Sequence, residues 1–180
     1  TVEKHNEVDE SINTEINVVL PEKIYVANDA VVEWMNGTQS AKEIYGEYRE
    51  FGRLDYTQAF DFLYSIDNLP VNYIIESQHI SIVDKDCSKE VFSQSLSTEK
   101  RSVSIENLRP DTNYEYLIQV SISNGQKIEK SGTFKTEPSL CFLFVNGARN
   151  VRDIGTLKTV DGRQIKKYMV YRGSELDGAI

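Results

Sequence analysis

The chain has 180 residues, a net charge of −8 at pH 7 and a sequence pI near 4.9. An acidic chain of this kind is a poor partner for nucleic acid, because binding to the phosphate backbone needs clustered Lys and Arg side chains. No apolar run approaches the ~20 residues of a transmembrane helix, so the sequence predicts no membrane span.

The charge is distributed unevenly along the chain. Residues 1–140 contain 24 acidic and 13 basic residues, whereas residues 141–180 contain 4 acidic and 7 basic residues. The change of sign falls near Pro138 and Ser139, and it predicts a domain boundary there.

The first part of the chain mixes polar and β-rich stretches. Residues 1–15 are polar and acidic and are predicted to be a disordered leader. Residues 16–27 are β-rich, and residues 28–37 are predicted to form a short strand between turn residues. Apolar residues at helical spacing predict an amphipathic helix over residues 40–51. Residues 56–70 are aromatic and apolar, and they fit either a strand pair or a further helical turn.

From Val71 onward the pattern is that of consecutive β-strands. Val, Ile and Tyr are abundant, and apolar residues alternate with polar ones. The clearest alternation places five residues on one side of a strand: Tyr114, Tyr116, Ile118, Val120 and Ile122. Asn124 and Gly125 then turn the chain into a returning strand. Short strands at regular spacing predict an antiparallel β-sandwich.

The stretch "LRPDTNYEYLIQV" resembles the junction of strands E and F in fibronectin type III domains. The resemblance rests on the spacing of Leu108, Pro110, Thr112 and Tyr114. It implies a tyrosine corner, in which the hydroxyl of Tyr114 bonds to the backbone a few residues upstream. Trp34 resembles the strand-B tryptophan of the same family. The resemblance covers about residues 20–137, with an insertion at about 38–70, and it implies a spacer or binding module that carries no chemistry of its own.

The last part of the chain, "NVRDIGTLKTVDGRQIKKYMVYRGSEL", has its own local pattern. Asp161 and Gly162 separate two β-capable runs, which predicts a hairpin with a tight primed turn. Gly155 supplies either a positive φ or a close backbone approach. Ser174 fits the N-cap of a helix, with Asp177 three residues later as in a capping box.

This stretch resembles the N-terminal signature Asn-Phe-Arg-Asp-Leu-Gly-Gly of a bacterial tyrosine phosphatase family. The signature continues through an Asp-Gly-Arg turn to a Leu-Tyr-Arg-Ser-x-x-Leu strand end. The matching residues are Asn150, Arg152, Asp153, Gly155, Asp161, Gly162, Arg163, Tyr171, Arg172, Glu175 and Leu176. Val151 replaces the usual Phe, Thr156 the second Gly, and Tyr168 a common Gly.

The resemblance implies a cysteinyl-phosphate mechanism on a Cys-x5-Arg loop, which supplies the thiolate and cradles the phosphate. The six-residue spacing leads from Cys87 to Ser93 and from Cys141 to Gly147, so neither cysteine opens such a loop. We therefore expect no catalytic residue within these 180 residues and a chain that is cut short before the nucleophile.

Three residues are predicted to line the rim of a phosphate site: Arg152, Asp153 and Arg172. A guanidinium fork suits phosphate oxygens. The alternative is a structural network in which these charges brace the hairpin against the rest of the domain. Arg152 and Asp153 are neighbours on a strand and point to opposite faces, so they are not expected to pair with each other.

The predicted fold is mainly β. A fibronectin type III-like antiparallel sandwich with a partly helical insertion occupies residues 16–138. Residues 139–180 form a β-hairpin and helix start from an α/β phosphatase domain. The histidines and cysteines are too scattered for a metal site, and no cofactor is expected. The two cysteines are expected to be isolated thiols.

The predicted function is that of a phosphatase of tyrosine or dual specificity with an accessory sandwich. Its partners would be a phosphorylated protein or a small phosphate ester. The alternative is a non-catalytic binding module of extracellular or cell-envelope type. Analogy with fibronectin-type domains favours the cell surface, with a cytoplasmic location left open. The exposed strand edges of the C-terminal residues also predict self-association.

Overall fold

The computed structural model describes residues 13–35, 37, 57–145 and 148–173. The chain order of its elements is β1 (Glu15–Val19), α1 (Asp29–Met35), β2 (Phe60–Asp67), β3 (Ile75–Asp84), β4 (Lys89–Leu96), β5 (Ser102–Ile105), β6 (Asn113–Ile122), β7 (Lys127–Lys135), β8 (Phe142–Val145), β9 (Ala148–Asp153), a 3-10 turn (Ile154–Thr156) and β10 (Tyr171–Arg172). The predicted helix over residues 40–51, the helix start at Ser174 and most of the predicted leader lie outside the described residues.

Strands β1 to β7 form two antiparallel sheets. One has the order β1-β2-β5 and the other β4-β3-β6-β7. Both sheets contribute to one apolar core, and strands β1 to β7 together are the sandwich. The fully buried members of the core include Phe62, Ile80, Tyr114 and Ile118. The described part of the chain is therefore mainly β and antiparallel, as predicted.

Strand β6 follows the predicted alternation. The side chains of Tyr114, Tyr116, Ile118, Val120 and Ile122 are all buried. The residues between them are exposed or half-buried, because successive side chains of a strand point to opposite faces. Cys87 lies in the turn between β3 and β4.

The prediction of a short strand over residues 28–37 is wrong. Asp29–Met35 is a helix, so Trp34 does not lie on a strand. The Asn28 side chain begins the helix, because its Oδ1 accepts a hydrogen bond from the backbone N–H of Val31 at 3.0 Å. Val31 then packs in a small second apolar cluster with Ala27 and Phe142. A local cap and a contact with a distant residue outweigh the strand preference of Val.

Residues 60–67 of the aromatic stretch form one strand, β2. This strand lies in the centre of its sheet, between β1 and β5. The stretch is therefore neither a strand pair nor a helical turn. The sheet also begins at Glu15, so the last residue of the predicted leader is part of β1.

The hairpin predicted around Asp161 and Gly162 has a different turn. The N–H of Gly162 donates to the carbonyl of Thr159 at 2.8 Å, and the N–H of Thr159 donates to the carbonyl of Arg163 at 2.8 Å. Gly162 has a φ of 82°, whereas Asp161 has no positive φ. This pattern is a type I turn followed by a glycine bulge, not a primed turn. Only one bridge, between Lys158 and Gln164, joins the two arms.

The C-terminal segment, residues 139–173, forms a third sheet with the order β10-β9-β8. Strand β10 pairs with β9 rather than with the arm before the turn, with Tyr171 opposite Asp153 and Arg172 opposite Arg152. Strand β8 is also held by the sandwich, because the amide of Asn107 bonds to both backbone groups of Phe144. No helix in the described part of the chain is long and apolar enough to cross a membrane.

Candidate functional site

Two of the three predicted site residues lie side by side. Arg152 on β9 and Arg172 on β10 are directly opposite partners in the antiparallel ladder. Like charges in this arrangement repel each other. A pair of guanidinium groups on one face of a two-stranded ladder is therefore an arrangement that an anion would stabilise.

Arg152 is half-buried and is held on its apolar side by Phe142. Its guanidinium carbon lies 5.6 Å from the centroid of the Phe142 ring, which is within the range of a cation–π contact. Its Nε is buried and has no hydrogen-bond partner among the described residues. Arg172 is exposed. The pair thus combines one anchored and one accessible guanidinium.

Asp153 does not join the two arginines. It is 3% exposed and its carboxylate forms an ion pair with Arg109 of the sandwich, with Arg109 Nε 3.0 Å from Asp153 Oδ2. The carboxylate also accepts the backbone N–H of Gly155 and of Tyr168, each at 2.8 Å. Asp153 is therefore fully engaged on the face of β9 opposite Arg152.

Gly155 allows this arrangement by close backbone approach. A Cβ at this position would lie 2.4 Å from the Cα of Lys167 and 2.5 Å from the carbonyl oxygen of Lys166. Such distances are far below van der Waals contact. Of the two roles proposed for Gly155 from the sequence, close approach is correct, because its φ is not positive.

Sequence reasoning missed the role of Arg109. Its guanidinium bonds to Asp153 through Nε and to the hydroxyl of Tyr171 through an Nη atom at 3.2 Å. Burial disfavours the charged guanidinium, but the neighbouring Tyr168 and Asp153 more than offset this, so the pKa of Arg109 is raised. Arg109 therefore remains a cation inside the protein.

Tyr168 lies over the same guanidinium. The guanidinium carbon of Arg109 is 3.3 Å from the centroid of the Tyr168 ring. The Tyr168 hydroxyl donates to the carboxylate of Asp84, which is completely buried at the end of β3. Burial and this hydrogen bond both raise the pKa of Tyr168, so the hydroxyl keeps its proton.

Lys167 adds a further link between the C-terminal segment and the sandwich. Its ammonium group is 3.1 Å from the carboxylate of Asp86 and 2.7 Å from the hydroxyl of Thr112. This pair joins a basic residue of the segment to an acidic residue of the sandwich, whereas the buried Asp153–Arg109 pair has the opposite polarity. The face of the segment that carries Asp153 is consequently a docking face.

The cysteines do not provide a nucleophile at this site. Cys87 is exposed in the β3–β4 turn and Cys141 is buried. Burial raises the pKa of the Cys141 thiol to about 11, so at neutral pH it is protonated and a poor nucleophile. Among the described residues, no three His, Cys, Asp or Glu side chains are grouped so as to hold a metal ion.

Comparison with known proteins identifies one similarity. Residues 143–179 match the model of the tyrosine phosphatase family. The matched stretch contains β9, the 3-10 turn, β10 and most of β8, and so it includes Arg152, Asp153 and Arg172. No curated protein and no solved structure matches the chain.

Proposed function

We propose that this chain is the N-terminal part of a cysteine-dependent phosphatase of tyrosine or dual specificity that hydrolyses phosphate monoesters. The observation that carries the proposal is the family match over residues 143–179, which coincides with the β8–β10 sheet and its paired arginines. In such an enzyme a Cys-x5-Arg loop supplies the thiolate, and its backbone N–H groups hold the phosphate oxygens. Neither Cys87 nor Cys141 is followed by arginine at that spacing.

In this proposal Arg152 and Arg172 form part of the rim of the phosphate site. The two residues are direct cross-strand neighbours, and the buried Nε of Arg152 has no partner among the described residues. Phosphate oxygens would satisfy these donors and relieve the repulsion between the two charges. Asp153 contributes indirectly, because its carboxylate holds the backbone of the segment and not the substrate.

Strands β1 to β7 would form a fibronectin type III-like accessory domain. The strand orders β1-β2-β5 and β4-β3-β6-β7 support this assignment. So does the tyrosine corner, in which the Tyr114 hydroxyl accepts the backbone N–H of Arg109 at 2.7 Å. Domains of this kind are common at cell surfaces, and we propose an extracellular or cell-envelope location. The substrate would be a phosphorylated protein or a small phosphate ester.

The activity can be tested with the full-length product of the gene and with the 180-residue chain. The full-length protein should hydrolyse a chromogenic aryl phosphate in a vanadate-sensitive manner, and the 180-residue chain should not. Phosphotyrosine and phosphoserine peptides would then separate tyrosine specificity from dual specificity. An inactive full-length protein would favour a non-catalytic binding module instead.

The rim can be tested with charge-removing variants of the full-length protein. Arg152→Met and Arg172→Met should each raise KM for the aryl phosphate by about tenfold, since each loses a charged hydrogen bond to the phosphate. Arg163→Met is the matched control, because Arg163 lies on the same segment and its side chain is 82% exposed beside Asp161. Equal KM values for all three variants would mean that Arg152 and Arg172 do not bind the phosphate group of the substrate.

A further inference from the structure

Tyr168 has a backbone conformation that is unusual for its residue type. Its φ is 66°, in the left-handed region. Side chains with a Cβ are disfavoured there, and glycine is not. The phosphatase family that this segment resembles commonly has glycine at this position. A strained residue persists only where its surroundings over-determine it, so the contacts of Tyr168 explain why it is kept.

Three of these contacts join the C-terminal segment to the sandwich, and one lies within the segment. The Tyr168 ring stacks on Arg109, and its hydroxyl donates to Asp84. Its backbone N–H bonds to Asp153, which is itself the ion-pair partner of Arg109. Lys89 of β4 also lies over the ring, with its ammonium nitrogen 4.6 Å from the centroid. The Tyr168 side chain therefore docks on a site of the sandwich that is formed by Asp84, Lys89 and Arg109.

Arg109 binds the C-terminal segment at the cross-strand pair next to the paired arginines. It bonds to Asp153 and to Tyr171, which face each other across β9 and β10. The adjoining cross-strand pair is Arg152 and Arg172. Because neighbouring residues of a strand point to opposite faces, fixing the first pair fixes the direction of the second.

We infer that the sandwich sets the orientation of the phosphate-binding rim, and that Arg109 and Tyr168 are its positioning residues. This inference rests on the proposed function, because it takes Arg152 and Arg172 as substrate-binding groups. Arg109 and Tyr168 touch no substrate. They act through Asp153 and Tyr171, and through them on the two arginines. The accessory domain is accordingly part of the catalytic unit and not a spacer.

The inference can be tested with Tyr168→Gly, Arg109→Met and Arg109→Lys in the full-length protein. Tyr168→Gly removes the side chain that docks on the sandwich. Glycine suits the positive φ at this position, so the segment itself keeps its backbone conformation. Asn68→Gly is the matched control, since Asn68 has a φ of 59° on the loop after β2. Arg101→Met is the control for Arg109, because Arg101 is a sandwich arginine bonded to Gln78 and Thr98 rather than to the C-terminal segment.

Two measurements read out each variant. Hydrogen exchange over residues 148–173 reports docking of the segment, and steady-state kinetics report the rim. Tyr168→Gly and Arg109→Met should speed exchange in this segment and raise KM by about tenfold, with a smaller change in kcat. Arg109→Lys should restore part of the exchange protection but not KM, because an ammonium group cannot reproduce the two-pronged contact. Both controls should behave as the wild type.

The outcomes separate this inference from the proposed function. Faster exchange with an unchanged KM would mean that the sandwich holds the segment without orienting the rim, and it would overturn the inference. Unchanged exchange in both variants would overturn it as well. If the wild type shows no vanadate-sensitive turnover, the proposed function fails. The affinity of the same variants for inorganic phosphate, measured by calorimetry, then decides the inference, and a wild type that does not bind phosphate overturns it too.

Discussion

The backbone N–H of Arg109 donates a hydrogen bond to the hydroxyl oxygen of Tyr114 across 2.7 Å in the interior of the protein. Tyr114 is fully buried, and its ring stacks on Phe134 with the centroids 5.2 Å apart. The carbonyl of Arg109 is held as well, by the hydroxyl of Thr136. The core of the sandwich therefore fixes the backbone of the residue whose side chain holds Asp153. A tyrosine corner is connected in this way to the C-terminal segment.

Tyr114→Phe should destabilise the chain, because the N–H of Arg109 loses its acceptor. The expected loss in the free energy of unfolding is about 0.5–1.5 kcal/mol, and about 1–3 kcal/mol if the N–H stays dry. Denaturant midpoints measure it. Tyr116→Phe is the control, since Tyr116 is buried on the same strand and its pKa is raised by burial, with no hydrogen bond contributing to the shift. Equal midpoints for the two variants would contradict a stabilising corner.

Asp153→Asn should destabilise the chain more than Arg109→Met does. The first variant leaves a buried guanidinium facing an uncharged amide, and breaking a buried pair in this way costs about 3–5 kcal/mol. In the second variant the carboxylate keeps two backbone N–H donors, from Gly155 and Tyr168. Chemical denaturation of the 180-residue chain gives the order.

The control for the buried pair is Asp161→Asn. Asp161 pairs with Arg163 at 2.7 Å, but the two side chains are 54% and 82% exposed. Water screens such a pair, so the expected cost is about 0–1 kcal/mol. A loss at Asp161 as large as the loss at Asp153 would mean that burial does not determine the strength of these pairs.

Gly155→Ala should loosen the C-terminal segment. The added methyl group would overlap the backbone of Lys166 and Lys167, which cannot rotate away as a side chain can. Overpacking of this kind costs about 1–3 kcal/mol. Gly162→Asn is the control, because a Cβ there meets open space and Asn tolerates a positive φ. Faster hydrogen exchange over residues 148–173 in the first variant alone would support the close approach, and identical exchange would contradict it.

Much of the sandwich follows from local sequence signals. The alternation over β6 and the spacing around Tyr114 are properties of neighbouring residues, and the structure places these side chains as expected. The helix α1 was missed because its Val residues favour a strand. Its stability depends on the cap from Asn28 and on the contact of Val31 with Phe142, which lies far away along the chain.

The site could be predicted only in part. Arg152, Asp153 and Arg172 were predicted as site residues from a family signature and remain a prediction, and the signature does not say which of them share a face. The partners of Asp153 and Tyr168 are Arg109 and Asp84, at sequence separations of 44 and 84. No local pattern joins residues so far apart. The available signal was Tyr168 itself, a bulky residue at a position where the family commonly has glycine.

The contact between the C-terminal segment and the sandwich also makes the stability of the protein depend on pH in the alkaline range. Burial raises the pKa of the Cys141 thiol from its ordinary value of 9.0 to about 11 in the folded chain, whereas an unfolded chain releases this proton near the ordinary value. Between these values the folded state binds more protons than the unfolded state, so stability falls as pH rises. At pH 10 this thiol should lower the free energy of unfolding by about 1–2 kcal/mol relative to pH 8.

Cys141→Val should remove this part of the pH dependence. Tyrosine and lysine side chains titrate in both proteins, so the difference between the two stability curves isolates the thiol. Denaturant midpoints at pH 8, 9 and 10 give the curves. The curve of Cys87→Ala should follow the wild type, because Cys87 is exposed in the β3–β4 turn. Parallel curves for Cys141→Val and the wild type would mean that the Cys141 thiol ionises as readily in the folded chain as in the unfolded one, and the burial of Cys141 against the Arg109–Asp153 pair would then need revision.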